Sequence, residues 1–483
     1  MNAQTFATVG QSIAWHAANT PHHIAVVRQG GPVTYRRLAR DLARCVHGMP
    51  DLNVTSGTLV GLALSHRYTH LLVSLGSELA GAAVTSVLSD DDDIIQHCDV
   101  IFTDQNGPLT LLPKTALLAP DWLARVRPPV GEHPDPLQRD MPPDQIVRLH
   151  RTSGTTGRPK SMPVPHAVRQ RRVLRGIGLV ADQVLPMPRL LCPYPLTISA
   201  AETRVFGALY HGGTVYLAAQ SDVPDLIASG AINWAVFSLG DVDLTVRRGV
   251  ALPAGHRMCV EVFGATVPLP LRQRVRRQWN AVISNKYSSN ETHAIAVVDD
   301  DNVAWLEPGV EVRIVDDLGF EVAPGQAGRI RVRADTMVDC YFNDPALTAE
   351  CFIDGWFQTS DLGCQPEPGK LLLLGRRDDV LNIGGVKIPP APIEDRIRQI
   401  DGVSDAALVS VRNSRDVGVL LVAVETAALE MAELEEKISP ILAVHRIAWS
   451  LMLSRSLPRT STGKVMRHAI EAEFRDSLTE DQR

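Results

Sequence analysis

The densest run of chemistry-bearing residues is Arg151-Thr152-Ser153-Gly154-Thr155-Thr156-Gly157-Arg158-Pro159-Lys160. Its glycines let a ligand approach the backbone closely. Its hydroxyls and amides offer a row of donors to phosphate oxygens, and Lys160 adds a positive charge. A nucleoside-triphosphate loop of the Walker type is disfavoured, because the residue before its lysine must be glycine. Here it is Pro159, which has no N–H to give. Further clusters stand downstream: Gly264-Ala265-Thr266 after an apolar run, Tyr287-Ser288-Ser289-Asn290-Glu291, Gly355 to Asp361, Gly375 to Lys387, and Pro458 to Lys464. An aromatic face suits a flat base, a carboxylate suits a hard cation, and another can accept two hydroxyl hydrogen bonds. Taken singly, Tyr287, Glu291, Asp361 and Lys464 would read as a core ring, a surface charge, a turn residue and a solvated lysine.

Taken together and in this order, the strings resemble the adenylate-forming superfamily: acyl-CoA synthetases, adenylation domains and beetle luciferase. The resemblance runs from about residue 10 to residue 470. It implies that Thr152, Ser153, Gly154, Thr155, Thr156, Gly157 and Lys160 bind phosphates, and that Gly264, Ala265 and Thr266 lie on one face of adenine with Tyr287 on the other. It implies that Glu291 binds Mg²⁺ on ATP, that Asp361 holds the ribose, and that Arg376 contacts the nucleotide. Asn290 stands where the family has threonine, and Ser288 and Ser360 stand where it has glycine. Asn290 keeps a donor for the reacting groups, so it is expected to act with Glu291 and Lys464 in catalysis. By the same resemblance Asp378 is a hinge, Lys464 bridges the carboxylate and α-phosphate, and Gly384, Gly385 and Lys387 border a pantetheine channel.

The segment from Leu191 to Leu209 aligns with the family's acyl-pocket region and nominates Tyr194, Pro195 and Ser199. Amino-acid-activating relatives place an aspartate where Ser199 stands. A neutral hydroxyl cannot pair with an α-ammonium, so an α-amino acid is disfavoured. The Tyr-Pro-Leu-Thr run is similar to stand-alone aryl-acid activators, yet Pro193 falls where those read a phenol with asparagine. The expected substrate is a small aryl or aliphatic carboxylic acid. The chain carries no carrier domain before Arg483, so the expected acceptor is an acyl carrier protein in trans, with free coenzyme A as the alternative. A non-catalytic nucleotide-binding regulator is a further alternative, resting on Ser288, Asn290 and Ser360, and a partner-docking scaffold is a third.

These residues need a large scaffold. The 483 residues are 45% hydrophobic and 21% charged, which excludes disorder. A net charge of -6 gives no basic excess for nucleic acid. Seven scattered cysteines with no CxxC pair argue against a disulfide framework or zinc site, and for a reducing cytoplasm. The N-terminus lacks a signal-peptide pattern. Leu71 to Leu88 is the most membrane-like stretch, but Glu78 and its hydroxyl residues make it a buried helix running into a strand, and no membrane partner is expected.

Tyr35, Leu38, Leu42 and Cys45 recur at helical spacing behind Thr34, a capping residue. Apolar runs at 58–64, 100–102 and 145–149 read as strands separated by helix-length segments, an α/β pattern. The six prolines between Pro128 and Pro143 mark an exposed connection, and Asp90 to Asp93 reads as a solvated acidic loop. From about 304 to 374 the chain turns strand-rich, at 310–315, 328–332 and 370–374. Beyond it Met431, Leu434 and Ile438 share one helix face. The expected architecture is α/β: a large N-terminal domain (1–375) of α/β layers with a β-rich part, and a small mobile α/β C-terminal domain (376–483).

Overall fold

The computed structural model describes residues 5–119, 121–126, 135–152, 159–178, 180, 184, 187–264, 266–301, 303–383, 386–412, 418–443, 447–459 and 465–480. The six-stranded sheet runs, in spatial order, Thr115–Leu117, Val100–Thr103, Leu59–Ala63, Ala83–Ser86, Ile146–Thr152 and Lys160–Pro165. All pairs are parallel except the last. A longer sheet begins at Gly31–Thr34 and continues through Ile24–Arg28, Thr214–Tyr216, Arg189–Leu191, Trp234–Ser238, Met258–Phe263 and Ala281–Ser289. After Ala281–Ser289 its pairing turns antiparallel through His293–Val298, Val303–Leu306, Lys370–Arg376, Trp356–Glu367, Gly328–Ala334 and Val310–Val315. This is the strand-rich segment expected from the sequence.

Helices Val9–Asn19, Tyr35–Gly48, Arg67–Ala80 and Ser199–Tyr210 fill the layer between the two sheets, and one core joins residues of both. Thr34 caps its helix by accepting from Arg37 N, as its position suggested. Arg67–Ala80 stops at Gly81, whose φ of 92° suits glycine. It runs on into Ala83–Ser86, as expected of the apolar stretch. Among the described residues no helix is long and apolar enough to cross a membrane. Glu78 on this helix pairs with Arg169 at 3.2 Å, and Arg148 pairs with Glu202 at 3.1 Å, all inside the layer. Parallel strands buried on both faces read as near-continuous apolar runs, and the segments at 59–63 and 234–238 do.

The C-terminal region builds its own three-stranded sheet from Val403–Arg412, Gly418–Thr426 and Trp449–Ser454. Its two faces carry separate cores, which explains the unbroken Leu420 to Val424 run. Leu434 and Ile438 are buried as expected. Met431 is 41% exposed, because it opens the helix Met431–Leu442 before the chain reaches the core.

Candidate active site

The strand Ile146–Thr152 delivers the hydroxyl-rich loop to the end of the six-stranded sheet, and Thr152 pairs with Lys160 across the return. Residues 153–158 lie outside the described residues, as does the side chain of Thr152. Arg151, at the loop's root, pairs with Asp92 and, at 2.8 Å, with Asp93. Asp92 also accepts from Leu88 N at 2.9 Å and Ile94 N at 3.2 Å. Burial pushes its carboxyl up, but these amides and the Arg151 guanidinium win, holding it below the usual aspartate range. Asp90, Asp91 and Asp93 are exposed, as expected of a solvated acidic loop; Asp92 departs from that reading, its side chain 5% exposed and paired with Arg151.

One cavity of about 1110 Å³ is lined by Lys160, Gly264, Thr266, Tyr287, Asn290, Glu291, Asp361 and Arg376. Gly264 has a φ of +85° with open space where a Cβ would point, so flat groups can approach its backbone. Lys160 holds its ammonium 5.3 Å from the centre of the Tyr341 ring. Tyr287 donates its hydroxyl to Asp361 Oδ2 at 2.6 Å, and Asp361 N donates to Thr359 Oγ1 at 3.0 Å. Burial pushes the Asp361 carboxyl up, against the opposing pull of the Tyr287 hydroxyl and Arg376. Ser360 accepts from Arg376 Nη2 at 2.9 Å, so the serine that replaces a glycine here positions the guanidinium.

Glu291 is fixed by residues that the motif strings did not point to. Tyr341 donates its hydroxyl to Glu291 Oε1 at 2.7 Å, and the buried Arg172 donates Nη2 to the Glu291 carbonyl at 2.9 Å. Burial lowers the Arg172 pKa to about 10, leaving it charged at neutral pH. Among the described residues no group of three or more His, Cys, Asp or Glu side chains could hold a metal by itself. A lone carboxylate on the cavity wall fits a cation that takes its other oxygens from phosphates and water.

The three acyl-pocket nominees do not line this cavity. Tyr194 and Pro195 precede the helix Ser199–Tyr210, and Ser199 is its first residue. Tyr194 donates to the Asp241 carboxylate, accepts from Ser238 N at 2.6 Å, and meets Phe263 edge-on at 5.0 Å. Pro195 follows it at the surface of the layer. Ser199 Oγ lies 3.4 Å from His150 Nε2. Burial, with Arg148 and its neighbouring arginines, holds His150 well below its usual pKa, so it is neutral.

Asp378 belongs to the single turn Arg377–Asp379 that follows Lys370–Arg376; its side chain lies outside the described residues. Ala265, Gly384, Gly385, Lys464 and the side chain of Lys387 also fall outside them. The flanks of Lys464 are described: Arg459 bridges to Val465, and its guanidinium pairs with Glu425 at 3.3 Å and with Asp405.

Comparison with known proteins matches residues 13–342 to the family described as AMP-binding enzyme, and 377–480 to the AMP-binding enzyme C-terminal domain. Among curated relatives, a feruloyl-CoA synthase of Amycolatopsis sp is 26% identical over 95% of this chain and 97% of its own length. An anguibactin system regulator of Vibrio anguillarum is 25% identical over 94% of this chain and 46% of its own, so the chain spans about half the length of that relative. The fold superimposes on ATP-bound MatB of Rhodopseudomonas palustris with a TM-score of 0.83, at 19% identity, covering 98% of this chain and 100% of that one.

Proposed function

Because the chain belongs to the AMP-binding enzyme family, we propose that it activates a small carboxylic acid with ATP and Mg²⁺ as an acyl-adenylate. It then passes the acyl group to the phosphopantetheine thiol of an acyl carrier protein in trans. Free coenzyme A is the alternative acceptor. What supports the reading is the convergence of Lys160, Gly264, Tyr287, Asn290, Glu291, Asp361 and Arg376, spread over more than two hundred residues of sequence, on one cavity.

A carboxylate is a poor electrophile, since its leaving group would be oxide. Attack of one carboxylate oxygen on the α-phosphorus of ATP forms a mixed anhydride and expels pyrophosphate. Two anions must meet, so the site has to offset concentrated negative charge. Bound Mg²⁺ would neutralise phosphate oxygens and steady the leaving group. Glu291 would hold it, with Tyr341 and Arg172 keeping that carboxylate in place. Tyr287 and Gly264 bracket the adenine, Asp361 accepts from the ribose, and Lys160 and Lys464 supply positive charge. Residues 1–375 would carry the site, and 376–483 would rotate about Asp378 to withdraw Lys464 and bring Gly384, Gly385 and Lys387 to the thiol.

The acid is aryl or aliphatic, not an α-amino acid. By the resemblance, Ser199 stands where amino-acid-activating relatives place an aspartate, and it carries no charge to meet an α-ammonium. Pyrophosphate exchange against a panel of acids tests the proposal. Lys464→Ala should lower exchange by ~10²–10³, the usual loss for one such donor, while ATP still binds. A folded protein that exchanges with no acid would instead fit a non-catalytic nucleotide-binding regulator.

A further inference from the structure

A second cavity, of about 570 Å³, opens at the C-terminal ends of the strands Leu59–Ala63 and Val100–Thr103. It shares no lining residue with the nucleotide cavity. Its volume falls in the usual range for a small-molecule site. One wall is the helix Tyr35–Gly48, where Arg40, Asp41 and Arg44 follow Arg37 at helical spacing and so share the face turned to the cavity. Arg28, at the end of the strand Ile24–Arg28, adds a fourth guanidinium to the lining.

The carboxylates on the lining do not neutralise these cations. Asp41 has a side chain only 9% exposed; it accepts from the Tyr68 hydroxyl at 3.0 Å and is shared between Arg37 at 3.4 Å and Arg40 at 3.8 Å. Asp104 is spent on the backbone amides of Ser65 at 3.0 Å and His66 at 2.7 Å. Asp121 pairs at 2.8 Å with Arg125, which does not line the cavity. Among the described residues Arg28 and Arg44 form no ion pair. Arg28 lies over the Tyr68 ring, 4.9 Å from its centre, and donates Nη1 to the Gln29 carbonyl at 2.9 Å. Burial and the Arg28 charge lower the His66 pKa against the pull of Asp104, so the imidazole beside these arginines is neutral at neutral pH. Two guanidiniums on one cavity are left without a carboxylate to answer them.

Much of the remaining lining is apolar: Leu118, Trp122 and Leu123, with Leu72 from the helix Arg67–Ala80. A bare inorganic anion would gain nothing from these side chains, and a hydrocarbon would leave the guanidiniums without counter-charge. The planar fork of arginine matches carboxylate and phosphate oxygens alike. We propose that this cavity is a second ligand site, and that it takes an organic anion with an apolar body and a carboxylate or phosphate head. The head sits on Arg28 and Arg44, and the body lies against Leu118, Trp122 and Leu123. The site goes beyond the ligase reading and does not depend on it.

The test is fluorescence titration of the full chain with anilinonaphthalene sulfonate, an apolar sulfonate. Saturating α,β-methylene-ATP and Mg²⁺ keep the nucleotide cavity filled without turnover. A saturable signal is expected. Octanoate and octyl phosphate should displace the probe, and the stronger competitor identifies the head; octanol and inorganic phosphate at the same concentrations should not. Arg44→Ala should weaken the probe by ~10-fold, the loss of one charge-assisted contact. Trp122→Ala should weaken it as well. Where that variant folds poorly, Arg44→Glu serves instead, since it reverses the charge without opening the core, and it should abolish saturable binding. No saturable binding, displacement by octanol as good as by octanoate, displacement by inorganic phosphate as good as by octyl phosphate, or an affinity unchanged in both Arg44 variants overturns the proposal. Binding is read without any acid being activated, so this outcome is separate from that of pyrophosphate exchange.

Discussion

Asp361 serves two partners: it holds the Tyr287 hydroxyl in this structure and would accept from ribose hydroxyls when nucleotide is bound. Only the ionised carboxylate can do both. Burial raises its pKa, so the free protein gives up that ionised form at a higher pH than an ordinary aspartate, whose value is about 3.9. The sign follows: ATP affinity should fall as pH drops, with an onset above the usual carboxylate range. The Tyr287 hydroxyl opposes the shift, so Tyr287→Phe should move the acidic limb to still higher pH. Calorimetric titration of ATP between pH 5 and 8 reads both effects, and coincident acidic limbs in the two proteins would refute the pairing's role. In the absence of ligand, a raised pKa means that ionising Asp361 destabilises the fold as pH rises. Asp361→Asn should accordingly melt higher than wild type at pH 8 while binding ATP more weakly, and a lowered melting temperature would contradict the burial argument.

Elements, not single residues, decide what a string of letters hides. Tyr287, Glu291, Asp361 and Arg376 were readable because each sits inside a compact local pattern. Tyr341 and Arg172 were not, for they reach Glu291 from 50 and 119 residues away. Arg172, in a helix rich in arginine, looks like a surface charge until the two sheets close over it. The burial of Asp92 within the acidic run was hidden for the same reason, since its partner Arg151 arrives on the strand Ile146–Thr152. The helix behind Thr34 and the strand at 310–315 were legible because cap and periodicity are local. A similar long-range brace holds the segment that carries Lys464. Glu425, on the central strand Gly418–Thr426, accepts from Leu457 N at 3.1 Å and from Arg459 Nη2 at 3.3 Å. Both donors lie just before residues 460–464. Removing this anchor should misplace the lysine without touching the nucleotide. Glu425→Ala is expected to slow single-turnover acyl-adenylate formation by ~10-fold or more, the scale of a small misplacement of a reacting group, with ATP affinity preserved. Equal losses in binding and turnover would instead mark a general structural role.

At the scale of the molecule, two bodies meet around a short connection. Strand Lys370–Arg376 belongs to the long sheet, the turn Arg377–Asp379 follows, and Leu381–Ile383 begins the C-terminal pairing. Arg247 reaches Glu425 at 3.8 Å, a contact between a helix of the large body and the small one. At 3.8 Å the contact is long and its Arg247 end is half exposed, so it is weaker than the 3.3 Å pairing of Glu425 with Arg459, and a rotation can leave it. The proposed two-step reaction would need that freedom, since Lys464 poised over the α-phosphate would occupy space that the thiol must enter. The rotation has to be absorbed by a few backbone torsions, and the turn at 377–379 is short enough to concentrate it. Asp378→Pro fixes φ at that position and restricts Arg377 before it. Acyl-adenylate formation should stay within about threefold of wild type, because the φ of a 3-10 turn such as Arg377–Asp379 is one that proline adopts. Thioester formation should fall by ~10-fold or more, because the second arrangement needs a torsion that proline cannot reach. Pyrophosphate exchange measures the first step, and transfer of the labelled acyl group to a carrier protein or to coenzyme A measures the second. If both fell together, the pivot would lie elsewhere in the connection; if neither changed, residue 378 would not carry the rotation at all.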